Sequence, residues 1–153
     1  MSAEDRIKEL GVELPKAPGP IGNYIGATRT GNLVYLSGHG PRLTDGSMIS
    51  GRVGADMNID EAYDAARLVG LGLLSTLKAQ IGDLNKVKQV IKTLGMVNAV
   101  PEFTDHPKVI NGASDLFVDV FGDAGRGARS AVGMGSLPNQ IPVEIEMIIE
   151  IED

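Results

Sequence analysis

The final strand candidate sets the kind of fold this chain can adopt. Between Val143 and Ile151, Val143, Ile145, Met147, Ile149 and Ile151 alternate with Glu144, Glu146 and Glu150, and Ile148 departs from the pattern. Alternation of this kind puts every second side chain on one face of a sheet, so the segment reads as a half-buried antiparallel strand whose apolar face needs a cover. Helices in the same chain can supply it. Asn58 opens a helix with Glu61 three residues on, a variant of the capping box, and Ala62, Ala65, Ala66, Val69, Leu73 and Leu77 follow at helical spacing up to Gly82. Gly70 and Gly72 inside this helix cost about 1 kcal/mol each relative to Ala, so close packing against a sheet is expected to compensate. A second helix is expected from Pro107 to about Phe121, with Val109, Phe117, Val120 and Phe121 inward.

The remaining strands fall around these helices. Two are expected near Asn23 to Thr28 and Asn32 to Ser37, joined as a hairpin at Thr30-Gly31. Another lies within Val87 to Val100, where Val90, Ile91, Leu94, Met96 and Val97 alternate imperfectly, as in a strand covered on both faces. Ala128 to Gly135 and Pro142 to Ile151 complete the set, and their connection through Leu137-Pro-Asn-Gln allows these two strands to pair. A short N-terminal helix, capped by Ser2 and stopped at Gly11, precedes them. Residues 38 to 57 hold five glycines and read as a long exposed loop. The order ββαβαββ predicts an α+β domain, one sheet with two helices on one face. Its opposite face then needs a cover, and a partner subunit is expected to provide it.

A length of 153 residues fits one domain, 1–153, with 1–14 as an N-terminal helical extension. There is no cysteine, which excludes disulfides, thiolate metal sites and thiol nucleophiles. A net charge of −6 with no basic stripe disfavours nucleic-acid binding. The charged start Met-Ser-Ala-Glu-Asp-Arg does not resemble a signal peptide, and no apolar run is long enough to span a bilayer. The expectation is a soluble cytoplasmic protein without membrane contact.

Few residues offer chemistry. His39, in Ser37-Gly-His-Gly-Pro41, sits at a strand end, where a proton-transfer group would be accessible; a solvent-exposed histidine in a turn is the plainer reading. His106, before the second helix, reads as a structural cap, and two histidines so placed give no metal signature. Gly125-Arg-Gly127 and Gly133-Met-Gly135 do not precede helices in the way a phosphate loop requires and read as tight turns. Arg129 enters a strand between Ala128, Ser130 and Ala131, small neighbours that leave room around a fork suited to a carboxylate. Glu144 lies on the polar face fifteen residues later. The two residues could form a ligand site, or a cross-strand salt bridge on a solvated face.

Several stretches together are similar to one family. Ala128-Arg-Ser-Ala-Val-Gly133, Leu137-Pro138 and Val143-Glu-Ile-Glu146 resemble the C-terminal signature of the Rid (YjgF-like) proteins. Pro20-Ile-Gly-Asn-Tyr24, Gly31 to Gly38, Gly82-Asp-Leu84 with Val87, and Val109-Ile-Asn-Gly112 with Phe117 match in the same order. The resemblance implies a chorismate-mutase-like fold assembled as a homotrimer with clefts between subunits. It also implies a cofactor-independent enamine/imine deaminase, hydrolysing 2-aminoacrylate-type acids to 2-keto acids and ammonia without metal. In that frame Arg129 resembles the carboxylate clamp and Glu144 the glutamate beside the attacking water. Tyr24, Ser37 and Asn111 resemble residues of the cleft, and His39 stands where many deaminases carry glutamine. The extended N-terminus, the longer 40–57 loop and Gly127 in place of a frequent histidine mark a longer branch. Two further readings are a non-catalytic trimer binding a small carboxylate, and the family's older label of endoribonuclease and translation inhibitor.

Overall fold

A computed structural model describes residues 1–19 and 22–152; Pro20 and Ile21 of the Pro20–Tyr24 motif lie outside the described residues. The helices are α1 (Ala3–Glu9), α2 (Ile59–Ile81) and α3 (His106–Phe121), and the strands are β1 (Ala27–Thr30), β2 (Leu33–His39), β3 (Val87–Asn98), β4 (Ala128–Met134) and β5 (Val143–Ile151). They form one five-stranded sheet in the order β1-β2-β5-β3-β4. Among the strand pairs of the described residues only β3–β4 is parallel, and α3 makes the crossover between its two strands. α2 lies over β2 and β5, and α3 over β3 and β4, so both helices cover one face.

The helix ends follow from their residues. Ser2 and Asn58 each form a complete capping box, with Asp5 and Glu61 respectively, which satisfies backbone donors left over at the first turn. The apolar positions of α2 named above are all buried, as are Val109, Phe117, Val120 and Phe121 of α3. Their layer meets Val143, Ile145, Met147, Ile149 and Ile151 of β5 in the main core. Gly70 packs against Leu116 and Ala113 of α3 rather than against the sheet, so it is the helix–helix crossing that needs a small residue there. Gly112 of α3 completes that crossing, since a Cβ would run into the Tyr63 carbonyl oxygen.

Three further expectations need correction. The first strand begins at Ala27, because Asn23 to Gly26 run outside the ladder and are tied to β2 at Ser37, whose amide bonds the Gly26 carbonyl at 2.9 Å. β4 and β5 do not pair: β3 lies between them, since a parallel strand returning through α3 adds to the free edge of β3. The 40–57 segment is not a loose loop. Arg42 bridges Met48, Val53 bridges Met57 and Ala99, and Val53 is fully buried.

This segment and the 135–142 turn cover one end of the sheet's second face. Met96, Leu137 and Ile141 are buried there, with Met48, Leu94 and Met134 packed around them. The rest of that face stays open, and Tyr35 and Val132 are 44% and 39% exposed on it. Among the described residues, no helix is long and apolar enough to cross a membrane.

Candidate active site

Arg129 lies on the edge strand β4 opposite Thr93 of β3. Thr93, Gly95 and Val97 alternate on the helix-covered face, where Ile110 of α3 meets Gly95 and Val97 joins the core. Arg129 shares that face. Its Nη1 donates to Asn111 Oδ1 at 2.7 Å and to Ser114 Oγ at 3.1 Å, both from one turn of α3. Two neutral acceptors orient the guanidinium without neutralising it, and no ion pair among the described residues engages it. An open groove of about 580 Å³ runs beside it, lined by Arg129, Thr93, Asn111, Ser114, Tyr63 and Asp115, among others. Tyr63 donates to Asp115 Oδ2 at 2.7 Å across its wall, and that bond, with burial and the acidic neighbours, raises the phenol above its ordinary pKa.

Glu144 lies elsewhere. On β5 it is opposite Met96, whose side chain sits in the second apolar cluster, so Glu144 points to the face away from the helices. Arg129 and Glu144 of one chain therefore occupy opposite faces of the sheet. This removes the cross-strand salt bridge, which would have needed adjacent strands and a common face. Partial burial raises the Glu144 carboxyl above its ordinary pKa, and the negative charge of Glu146 adds to the effect.

Glu144 rests against an irregularity in β2. Leu36 pairs with Met147 and His39 with Ile145, so Ser37 and Gly38 together span the place of one partner residue, a β-bulge. Gly38 has no side chain where the carboxylate lies: a Cβ there would stand 2.5 Å from Glu144 Oε2. Ser37 donates from Oγ to the Ile25 carbonyl at 2.6 Å, which anchors the segment that carries the exposed Tyr24. Ser37 and Glu144 thus meet at one bulge, Tyr24 lies next to Ile25 in the segment that Ser37 anchors, and Asn111 joins Arg129 on the other face.

His39 differs from both readings made of it. It is 8% exposed, neither in an open turn nor available at the loop mouth. The bulge shifts strand parity by one residue and turns His39 toward the helices, where its nitrogens meet the Ser37 carbonyl and the Thr76 hydroxyl. His106 begins α3 next to Asp105, which makes no side-chain cap bond, and its ring packs edge-on to Phe103 at 5.1 Å. Ser114 and Asp115 join the site as well, and their signal in the sequence is the polar spacing Asn111, Ser114, Asp115 on a helix that is otherwise apolar on its inner side. Tyr63 comes from α2, where no sequence pattern marks it. Among the described residues, no three His, Asp or Glu side chains cluster closely enough to hold a metal ion.

Comparison with known proteins matches the chain to a family. Residues 4–145 fit the family model described as "YjgF/chorismate_mutase-like, putative endoribonuclease". The chain belongs to the YjgF/chorismate-mutase-like family. It is 38% identical over 148 residues to the protein TCP17 of Trypanosoma cruzi, covering 96% of this chain and 92% of that one. It is 32% identical over 142 residues to a 2-iminobutanoate/2-iminopropanoate deaminase of Dermatophagoides farinae, covering 92% of this chain and 95% of that one. The crystal structure of a protein of unknown function from Agrobacterium tumefaciens superposes with a TM-score of 0.91 at 46% identity, over 98% of this chain and 92% of that one. The YjgF-like assignment extends the resemblance of the motifs to nearly the whole length, α1 included. It also agrees with the mixed α+β sheet and its two covering helices.

Proposed function

We propose that this YjgF-like chain hydrolyses reactive 2-imino and enamine acids of the 2-aminoacrylate type to 2-keto acids and ammonia. The reading rests on Arg129: a guanidinium oriented by two neutral side chains, without a carboxylate of its own, beside an open polar groove. A 2-imino acid brings a carboxylate that fits the fork and an electrophilic C=N carbon next to it. The site is a cleft between copies of the chain. One copy contributes Arg129 and Asn111, and the next contributes Tyr24, Ser37 and Glu144 across its open sheet face. The family's homotrimer supplies three such clefts.

Water adds to the imine carbon while Glu144 takes its proton, giving a carbinolamine. That proton completes the amine of the carbinolamine; Glu144 then relays the hydroxyl proton to the nitrogen, the C–N bond breaks with its electron pair leaving on ammonia, and the C=O of the keto acid forms. A raised carboxyl pKa suits Glu144 to both halves of this exchange. The deaminase relative supports the same chemistry. No cofactor enters the scheme.

The test is to generate 2-aminoacrylate in situ with a lyase and follow its decay and ammonia release with the native chain and with Arg129→Ala. Faster decay with the native chain alone is expected. Saturable binding of pyruvate without ammonia release would replace hydrolysis by carboxylate binding. Cleavage of single-stranded RNA that survives in Arg129→Ala would favour the endoribonuclease reading in the family's description, against a net charge of −6.

A further inference from the structure

The bulge that presents Ser37 and Gly38 is held from its buried side by two side chains with no part in the chemistry above. His39 Nδ1 lies 2.6 Å from the Ser37 carbonyl oxygen, and Nε2 lies 2.8 Å from Thr76 Oγ1 on α2. A carbonyl oxygen is an acceptor, so Nδ1 carries the proton, and in the neutral ring the Thr76 hydroxyl donates to Nε2. Burial lowers the His39 pKa, the bond to Ser37 opposes that shift, and the Arg42 charge adds to it. A continuous set of contacts results. Thr76 holds His39, His39 holds the Ser37 carbonyl, and Ser37 holds Ile25 and Gly26 through its hydroxyl and amide. Gly38, next in the bulge, supplies the space that the Glu144 carboxylate fills.

We propose that His39 and Thr76 are positioning residues, a clamp by which α2 fixes the β2 bulge and thereby the placement of Glu144 and Ser37. The clamp is distinguishable from plain core packing, because an apolar side chain of similar size fills the space without restraining the Ser37 carbonyl. Its kinetic consequence rests on the hydrolytic reading; its geometric consequence does not.

The test compares His39→Leu, His39→Gln and Thr76→Val, each first shown to melt cooperatively and to keep the native oligomeric mass. Loss of the clamp lets the bulge drift, and a misplacement near 1 Å costs up to about 10²-fold in rate, so His39→Leu should lose at least about tenfold in kcat. KM should stay within about twofold, because the Arg129 half-site is on the other face and keeps its grip on the carboxylate. Glutamine offers an N–H donor and a carbonyl acceptor in one amide, so His39→Gln should recover kcat to within about threefold of native. Thr76→Val should fall between, and it carries the test if the histidine variants fail to fold.

A second measurement is independent of turnover: titration of the Glu144 carboxyl by carbon NMR. Glu144 lies against Gly38 of β2 and opposite Met96 of β3, with the Glu146 charge on its own strand. Releasing the bulge admits water, so its raised pKa should move down toward the ordinary carboxylate value in His39→Leu and Thr76→Val. An unmoved titration, or a folded His39→Leu with native kcat, overturns the clamp. If the native chain hydrolyses no imine, the hydrolytic reading falls and the titration still decides the clamp.

Discussion

Because Arg129 and Glu144 of one chain lie on opposite faces of the sheet, a cleft that uses both must draw them from two copies, and this can be measured by complementation. Arg129→Ala removes the fork while leaving Glu144, and Glu144→Gln removes the proposed base while leaving Arg129. Each variant alone should be inactive in imine hydrolysis. When equal amounts are unfolded together and reassembled, a cleft works if its arginine comes from a Glu144→Gln chain and its glutamate from an Arg129→Ala chain. Each condition is met half the time, so about a quarter of the native activity should return, whatever the ring size. Mixing the assembled variants without unfolding should return nothing at first, and activity should then grow only as fast as subunits exchange. The assay is ammonia release from 2-aminoacrylate, at matched protein concentration. A reassembled mixture no more active than its two components would refute the composite site and put both residues to work, if they work, within one chain.

Gly38→Ala must displace the Glu144 carboxylate by about 0.9 Å to reach ordinary contact. The displaced group is the end of a flexible side chain, so stability should change by less than about 1 kcal/mol while kcat falls about 10–100-fold, a separation read by a thermal melt beside the imine assay. Gly112→Ala should do the reverse of sparing the fold: its Cβ meets the Tyr63 backbone, and overpacking less the gain in helix propensity should cost about 2 kcal/mol, or roughly 4–8 °C of Tm. Arg129→Lys keeps the charge but loses the fork, and kcat/KM should drop by at least about 10²-fold with an unchanged circular dichroism spectrum. For His39, the folded pKa lies below the ordinary 6.5, so the unfolded chain binds the proton first. Stability should therefore be full above that value and fall as pH decreases through it, and His39→Leu should flatten this part of a denaturation series.

Much of the scaffold is legible because the signals are local. The alternation of β5 has the period of a strand and an apolar face to match, and the Asn58–Glu61 box precedes a run with helical spacing. What is not local escaped. Nothing near Ala128 or Val143 states that β3 will separate their strands; the order follows from a crossover in which the whole of α3 takes part. His39 looks accessible because its neighbours are glycines, yet one extra residue in β2 reverses the face to which it points. Arg129 and Glu144 stand out as residue types, but their separation by the thickness of the sheet follows from register: Arg129 opposite Thr93, Glu144 opposite Met96. Ser114 and Tyr63 become visible once two helices are placed beside one another, which no window along the chain does.

The placement of Glu144 carries a cost that can itself be measured. Partial burial, and then the charge of Glu146, hold its pKa above the ordinary value of 4.5. A carboxyl raised in the folded state releases its proton first in the unfolded one, so stability falls as pH rises from the ordinary value through the folded one, and the ionised group opposes folding above that window. In the proposed hydrolysis Glu144 has to be ionised to act as the base, and the environment that would suit it to that role also disfavours its charge. Assembly would remove more water from the face it occupies and sharpen the conflict. Glu144→Gln keeps the shape and the hydrogen-bonding capacity without the charge. It should therefore melt higher than the native chain near pH 7, and the difference should vanish near pH 4, where the native carboxyl is protonated in both states. A Tm that does not rise, or that rises equally at both pH values, would mean that the bulge stabilises the ionised form and that this site gives up no stability for its base.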